Sequence, residues 1–183
     1  MSSLTVYPAD SPEQPNKVLT HAADIAATLA PFGVRFGPWE AATGVRPGAS
    51  HEDVLAAYGQ QIEMLKNEGG YMNVDIVSLD ENDPIKDEVR ARLRKEYRHG
   101  EDEVRFFVAG RGLFNLHIED HVYAVLCEKG DLISIPAGTR HWVDIGEQPY
   151  LVVIRLYNNA GDVRASYTGD DIAERFPELS SYL

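Results

Sequence analysis

Cysteine is almost absent: Cys127 stands alone among 183 residues. No disulfide can therefore form within the chain, nor can a multi-thiolate zinc site, and a reducing compartment is the simplest setting. Basic residues are also scarce, 17 against 29 acidic ones, which leaves a formal charge of −12 and a pI near 4.8. Such a surface repels a phosphate backbone or an anionic bilayer, so neither nucleic acid nor membrane is an expected partner. Long hydrophobic runs are missing too. No stretch approaches the roughly 18 uninterrupted apolar residues of a transmembrane helix. The opening MSSLTVYPADSPEQPNKV has no basic region followed by an apolar run. The expectation is a cytoplasmic protein without repeats, low-complexity tracts or charge blocks.

What is present is the composition of a globular chain, 44% hydrophobic and 25% charged. The length suits one domain, 1–183, with a sizeable core. Residues 1–96 read as a helical part with edge strands. SLTVYP is a short strand. Val18, Leu19, Ala22, Ile25, Ala26 and Leu29 recur at helical spacing from Asn16. Ser50-His51-Glu52-Asp53 has the S-x-x-D form of a helix start, and Gly69-Gly70 stops that helix. YMNVDIVSL reads as a strand, and a third helix follows Pro84 and ends near Lys95.

From Glu103 the character changes. EVRFFVAG, GLFNLHI, HVYAVLC, DLISIPAG, HWVDI and PYLVVIRLY are short apolar or alternating runs separated by turn residues, the pattern of a β-sandwich or barrel. Residues 97–160 form the barrel core of this reading, and 161–183 a tail with a helical turn or two.

The chemistry concentrates in two stretches, YRHGEDEVRFFVAG (97–110) and GDLISIPAGTRH (130–141). Glu103, Arg105 and Phe107 share one strand face, while Val104, Phe106 and Val108 share the other. A carboxylate on a buried face requires a partner charge, and both a metal and Arg105 qualify. His141 follows a Pro-x-Gly turn at a strand end, where a side chain can be aimed into a barrel mouth. His99, Glu103 and His141 make a 2-His-1-carboxylate set, a ligand type that leaves coordination positions open for oxygen chemistry and suits iron and nickel alike. His117, His121 and Cys127 read as structural, and His21 and His51, at or near helix starts, as caps or solvent-facing residues.

These stretches resemble the two cupin motifs. More narrowly, GEDEVRFFVAGRGLF, LCEKGDLISIPAGTRHW, IRLY and YTGDDIAERFPEL resemble acireductone dioxygenase over nearly the whole chain. The resemblance implies a mainly β fold, a cupin-type β-barrel or jelly roll. It also implies one Fe(II) or Ni(II) per chain and action on a small enediol with O2 in methionine salvage, with products that change with the metal. The family pattern is His-x-His-x3-Glu with a distal His, and its first position is Tyr97 here. An aromatic residue and a Trp of the pattern are replaced by Val143 and Val163.

A phenol, with a pKa of about 10, needs strong metal activation to coordinate. The reading adopted is a three-ligand site with Tyr97 turned away from the metal. Arg105 would neutralise a carboxylate or a developing oxyanion, and Phe107, Val143, Arg155 and Val163 would line the substrate pocket. Loss of a ligand together with two smaller pocket residues leads to the expectation of a redirected oxygenase. Its substrate would be a small, anionic, metal-chelating molecule, for example a thiol amino acid such as cysteine. The alternatives are a working acireductone dioxygenase that tolerates Tyr97 and a metal- or ligand-binding cupin without turnover. The oligomeric state is not legible.

Overall fold

The computed structural model describes residues 1–39, 44–158 and 165–183. Its centre is one long strand, β6 (Glu103–Ile118), which belongs to two antiparallel layers at once. Among the described residues the other strands are β1 (Ser3–Pro8), β2 (Lys17–Leu19), β3 (Arg35–Pro38), β4 (Asn73–Leu79), β5 (Tyr97–Arg98), β7 (His121–Glu128), β8 (Asp131–Ile135), β9 (Arg140–Asp144), β10 (Leu151–Tyr157) and β11 (Ser166–Tyr167). The N-terminal half of β6 lies between β8 and β10, which continue to β3 and β4. Its C-terminal half lies between β7 and β9, which continue to β1 and β2 on one side and to β5 and β11 on the other.

The change of layer occurs at Gly110. Its φ is +70°, and an added Cβ would lie 1.6 Å from the Tyr150 carbonyl oxygen, so only glycine fits. EVRFFVAG and GLFNLHI are therefore one strand with a corner, where two were expected. Between the layers Phe107, Phe114, Val125, Ile133, Val143 and Val153 pack into one apolar core. Burial of such side chains contributes about 1.5–3 kcal/mol each.

The N-terminal part supplies strands as well as helices, so it is less helical than expected. The run from Asn16 first forms β2, paired with β1, and becomes helical only in α1 (Ala22–Leu29). The expected cap is present: the Ser50 hydroxyl accepts from the Asp53 N–H at 3.1 Å and opens α2 (His51–Ala57). A break at fully buried Tyr58 divides the expected single helix, and α3 (Gly59–Gly69) ends at Gly70 with φ +72°. These helices cover the outer face of β4, β10 and β6 through Val54, Tyr58 and Ile62.

The third expected helix is α4 (Lys86–Leu93). The tail forms two 3-10 turns, Ile172–Glu174 and Leu179–Tyr182, and Phe176 packs against Trp142. Buried Asp144 ties the tail to the barrel, accepting from the Leu179 N–H at 2.8 Å and from Arg90 Nε of α4 at 3.1 Å. Among the described residues no helix is long and apolar enough to cross a membrane.

Candidate metal centre

Three strands position the centre. Glu103 opens β6, His141 is the second residue of β9, and His99 follows β5, whose Tyr97 is the register partner of His141. The side-chain period of two then puts Tyr97 and His99 on one side. The ligand atoms of His99, Glu103 and His141 lie within 4.8 Å of one another, and all three residues are buried. The His99 and His141 ring centroids are 5.7 Å apart, and His99 Nε2 is 3.5 Å from Glu103 Oε1.

The donor set suits a divalent cation. His141 Nδ1 donates to the Thr139 carbonyl at 2.8 Å, which fixes the tautomer with a lone pair on Nε2. That Nε2 is buried without a hydrogen-bond partner, as is Glu103 Oε2. Burial, then Arg105, holds the His141 imidazole down to about 4, so it is neutral, as a ligand must be. Burial alone would raise the Glu103 carboxyl, but Arg105, His99 and Arg155 together bring it below its usual value.

Arg105 Nη2 contacts Glu103 Oε1 at 2.5 Å, and its guanidinium lies 5.0 Å from the centre of the Phe114 ring. Burial opposes the charged guanidinium, yet its neighbours, Glu103 foremost, raise its pKa. Tyr97 is only 2% exposed, with its ring 4.4 Å from His141 and 5.2 Å from His99. Burial pushes its phenol up while Arg105 opposes the shift, and the net result is a protonated hydroxyl.

A cavity of about 260 Å³ reaches this cluster at His99, and Phe107, Val143 and Arg155 are among the residues that line it. Val163 lies outside the described residues. Sequence reasoning missed Asp75, Phe114, Ile145 and Val153, which also line the cavity. The one available signal was Asp75, a charge inside the apolar strand NVDIVSL. Asp75 Oδ2 accepts from Arg155 Nη2 at 2.9 Å, and Arg155 Nη1 is 3.8 Å from Glu103 Oε2. Arg155 therefore connects Asp75 to Glu103 of the candidate ligand cluster.

A second His/carboxylate cluster, Glu96, His117 and Asp170, is satisfied internally. Glu96 Oε2 meets His117 Nδ1 at 2.6 Å, its Oε1 accepts from the Thr168 hydroxyl at 2.7 Å, and Asp170 Oδ1 accepts from the Ile172 N–H. It holds β11 against β5.

Comparison with known proteins identifies a family. The family model described as ARD/ARD′ matches residues 6–164. The acireductone dioxygenase of Pseudomonas paraeruginosa is 65% identical over 179 residues, 98% of this chain and 99% of the relative. That of Pseudomonas syringae is 64% identical over the same shares. Among solved structures, acireductone dioxygenase from Bacillus anthracis with a cadmium ion in its active centre matches with a TM-score of 0.78 and 26% identity. The match covers 91% of this chain and 98% of that one.

Proposed function

The chain belongs to the ARD/ARD′ family of acireductone dioxygenases, and from that premise we propose that it oxidises acireductone itself with O2, as a step of methionine salvage. It is a metal-dependent dioxygenase. The relatives, alike in name and nearly full in coverage, favour acireductone over the redirected thiol amino acid expected from Tyr97 and Val143. The observation that carries the reading is the convergence of His99, Glu103 and His141 within 4.8 Å at a cavity furnished with guanidinium groups.

His99, Glu103 and His141 are the proposed ligands of one Fe(II) or Ni(II) ion, since imidazole and carboxylate suit both. Such an ion supplies Lewis acidity and open coordination positions for an enediol and O2. The rest is done by the chain. Thr139 holds the His141 ring in orientation, and Arg105 does the same for the Glu103 carboxylate. Arg105 and Arg155 present positive charge to the enediol oxygens as they lose protons. Phe107, Phe114, Val143 and Val153 exclude water and strengthen those electrostatic contacts.

Tyr97 serves as a wall and hydroxyl donor beside Arg105, not as a ligand. A tyrosine carries its oxygen further from the backbone than an imidazole carries its nitrogen, and here that hydroxyl is buried without a hydrogen-bond partner among the described residues. The chain acts as one cupin unit, 1–183, with every proposed ligand between 97 and 160.

The test is anaerobic loading with Fe(II) or Ni(II) followed by O2-uptake measurements with acireductone. Uptake above a metal-stripped control is expected. Absence of uptake with one metal ion bound per chain would refute acireductone as the substrate, and absence across a panel of small thiols and amino acids as well would favour a binding cupin. Tyr97→Phe is expected to keep one metal per chain, and loss of the metal would make Tyr97 a ligand.

A further inference from the structure

Three charged residues stand in register across three adjacent strands. Asp75 on β4 pairs with Arg155 on β10, and Arg155 pairs with Arg105 on β6. All three line the cavity. Two guanidinium groups directly opposite each other repel, and the row is stable because it is anionic at each end. Glu103 takes Arg105 Nη2 at 2.5 Å at the inner end, and Asp75 takes Arg155 Nη2 at 2.9 Å at the outer end. Arg155 is further held over the Tyr157 ring, 5.2 Å from its centre. Arg105 Nε and Arg155 Nε are buried N–H donors without a hydrogen-bond partner among the described residues. Both residues line the cavity, so a ligand anion entering it meets the charge of two guanidinium groups.

Asp75 differs from the other three in exposure. Its side chain is 40% exposed against 19% for Arg155 and 1% for Glu103, which places its charge at the cavity mouth, where an incoming anion passes. We infer that Asp75 is a specificity-determining residue, a fixed negative charge that lets weakly charged chelating anions reach Arg155 and penalises anions of higher charge. This rests on the reading of the cavity as the substrate site of a metal-dependent dioxygenase.

Two carboxylates and two guanidinium groups cancel, so a divalent ion at His99, Glu103 and His141 leaves the row at a net charge of +2. Without Asp75 that charge would be +3, and the cavity would become a general trap for polyanions. With Asp75 in place, each added negative charge on a ligand meets the same repulsion again. At a partly exposed site this amounts to roughly threefold to tenfold in affinity per unit charge, so the factor for a dianion is the square of that for a monoanion.

The experiment uses the full chain loaded with Ni(II) and two chelating probes, glycolate (one negative charge) and oxalate (two), titrated by calorimetry. Asp75→Asn is expected to tighten glycolate roughly threefold to tenfold and oxalate by about the square of that factor. Asp75→Glu, which keeps the charge, is expected to stay near the wild-type ratio. Arg155→Met is expected to weaken both probes, showing that they reach this end of the cavity. If Asp75→Asn does not fold, Asp75→Ser carries the same test. The inference is overturned if the neutral variant leaves both affinities unchanged, weakens them, or tightens the two equally. It is also overturned if Arg155→Met leaves oxalate binding intact. None of these readouts needs turnover, so failure to oxidise acireductone would remove the proposed function and leave the Asp75 result to stand or fall alone.

Discussion

Removing the Glu103 charge should destabilise the protein even when no metal is present. Active-site carboxylates are often a burden on the fold, and replacing them commonly stabilises an enzyme. Here the opposite is expected, because Glu103 is the counter-charge of a buried guanidinium. Its side chain is 1% exposed and that of Arg105 is 8%, with 2.5 Å between Nη2 and Oε1. Breaking such a buried pair from one side typically costs about 3–5 kcal/mol. Gln retains an acceptor oxygen, and Arg155 keeps Asp75, so Glu103→Gln belongs at the lower end, near 3 kcal/mol. For a chain of this size that corresponds to a fall in Tm of roughly 6–12 °C.

The measurement is urea unfolding of chelator-treated wild type and variant, which separates the ion pair from metal binding. A companion variant, Glu103→Gln with Arg105→Met, should return to within about 1 kcal/mol of wild type, since no uncompensated charge is left buried. If Glu103→Gln alone is as stable as wild type, or more so, the charge row is not balanced as described.

Two further outcomes concern His141 in the centre and Asp144 three residues beyond it. His141 has its pKa held down to about 4, so the unfolded chain takes up its proton first as the pH falls. The metal-free protein should lose about 3 kcal/mol of stability between pH 6.5 and 4. His141→Asn should flatten that slope when unfolding free energy is measured against pH, and an unchanged slope would refute the assignment. Asp144→Asn removes the charge that Arg90 and the Leu179 N–H share. It should cost about 2–4 kcal/mol and loosen α4, whose Val89 and Leu93 line the cavity. Calorimetry would show the loss, and a change below about 0.5 kcal/mol, the range of an ordinary surface substitution, would count against it.

How much of this was legible depended on range along the chain. The face shared by Glu103, Arg105 and Phe107 follows from the period of a strand, and the Ser50 cap follows from a local hydrogen bond; both are present. From sequence Gly110 reads as a turn between two strands, because a glycine between apolar runs carries no sign of whether the chain reverses or merely bends. The Tyr150 carbonyl decides that, and it lies 40 residues away. The Asn16 run has helical spacing throughout, yet its first residues pair with β1 because that strand offers them backbone partners. Asp75 and Arg155 are separated by 80 residues. A charge in an apolar strand can show that a partner exists, but only register identifies it.

The same distinction resolves an apparent conflict between a chain of charge −12 and a proposed anionic substrate. The net charge acts through solvent and is screened beyond about 8 Å at physiological salt. A ligand inside the cavity is instead governed by Arg105, Arg155, Asp75 and Glu103, which are close to it and partly or wholly shielded from water. The long-range field therefore slows encounter, while affinity is set by the row. Raising the salt concentration should speed association of an anionic probe through the first effect. The ratio of oxalate to glycolate affinity should change less than the association rate, because Asp75 acts at short range. A ratio that rose in step with the rate would mean that the charge filter lies in the protein's overall field and not in this residue.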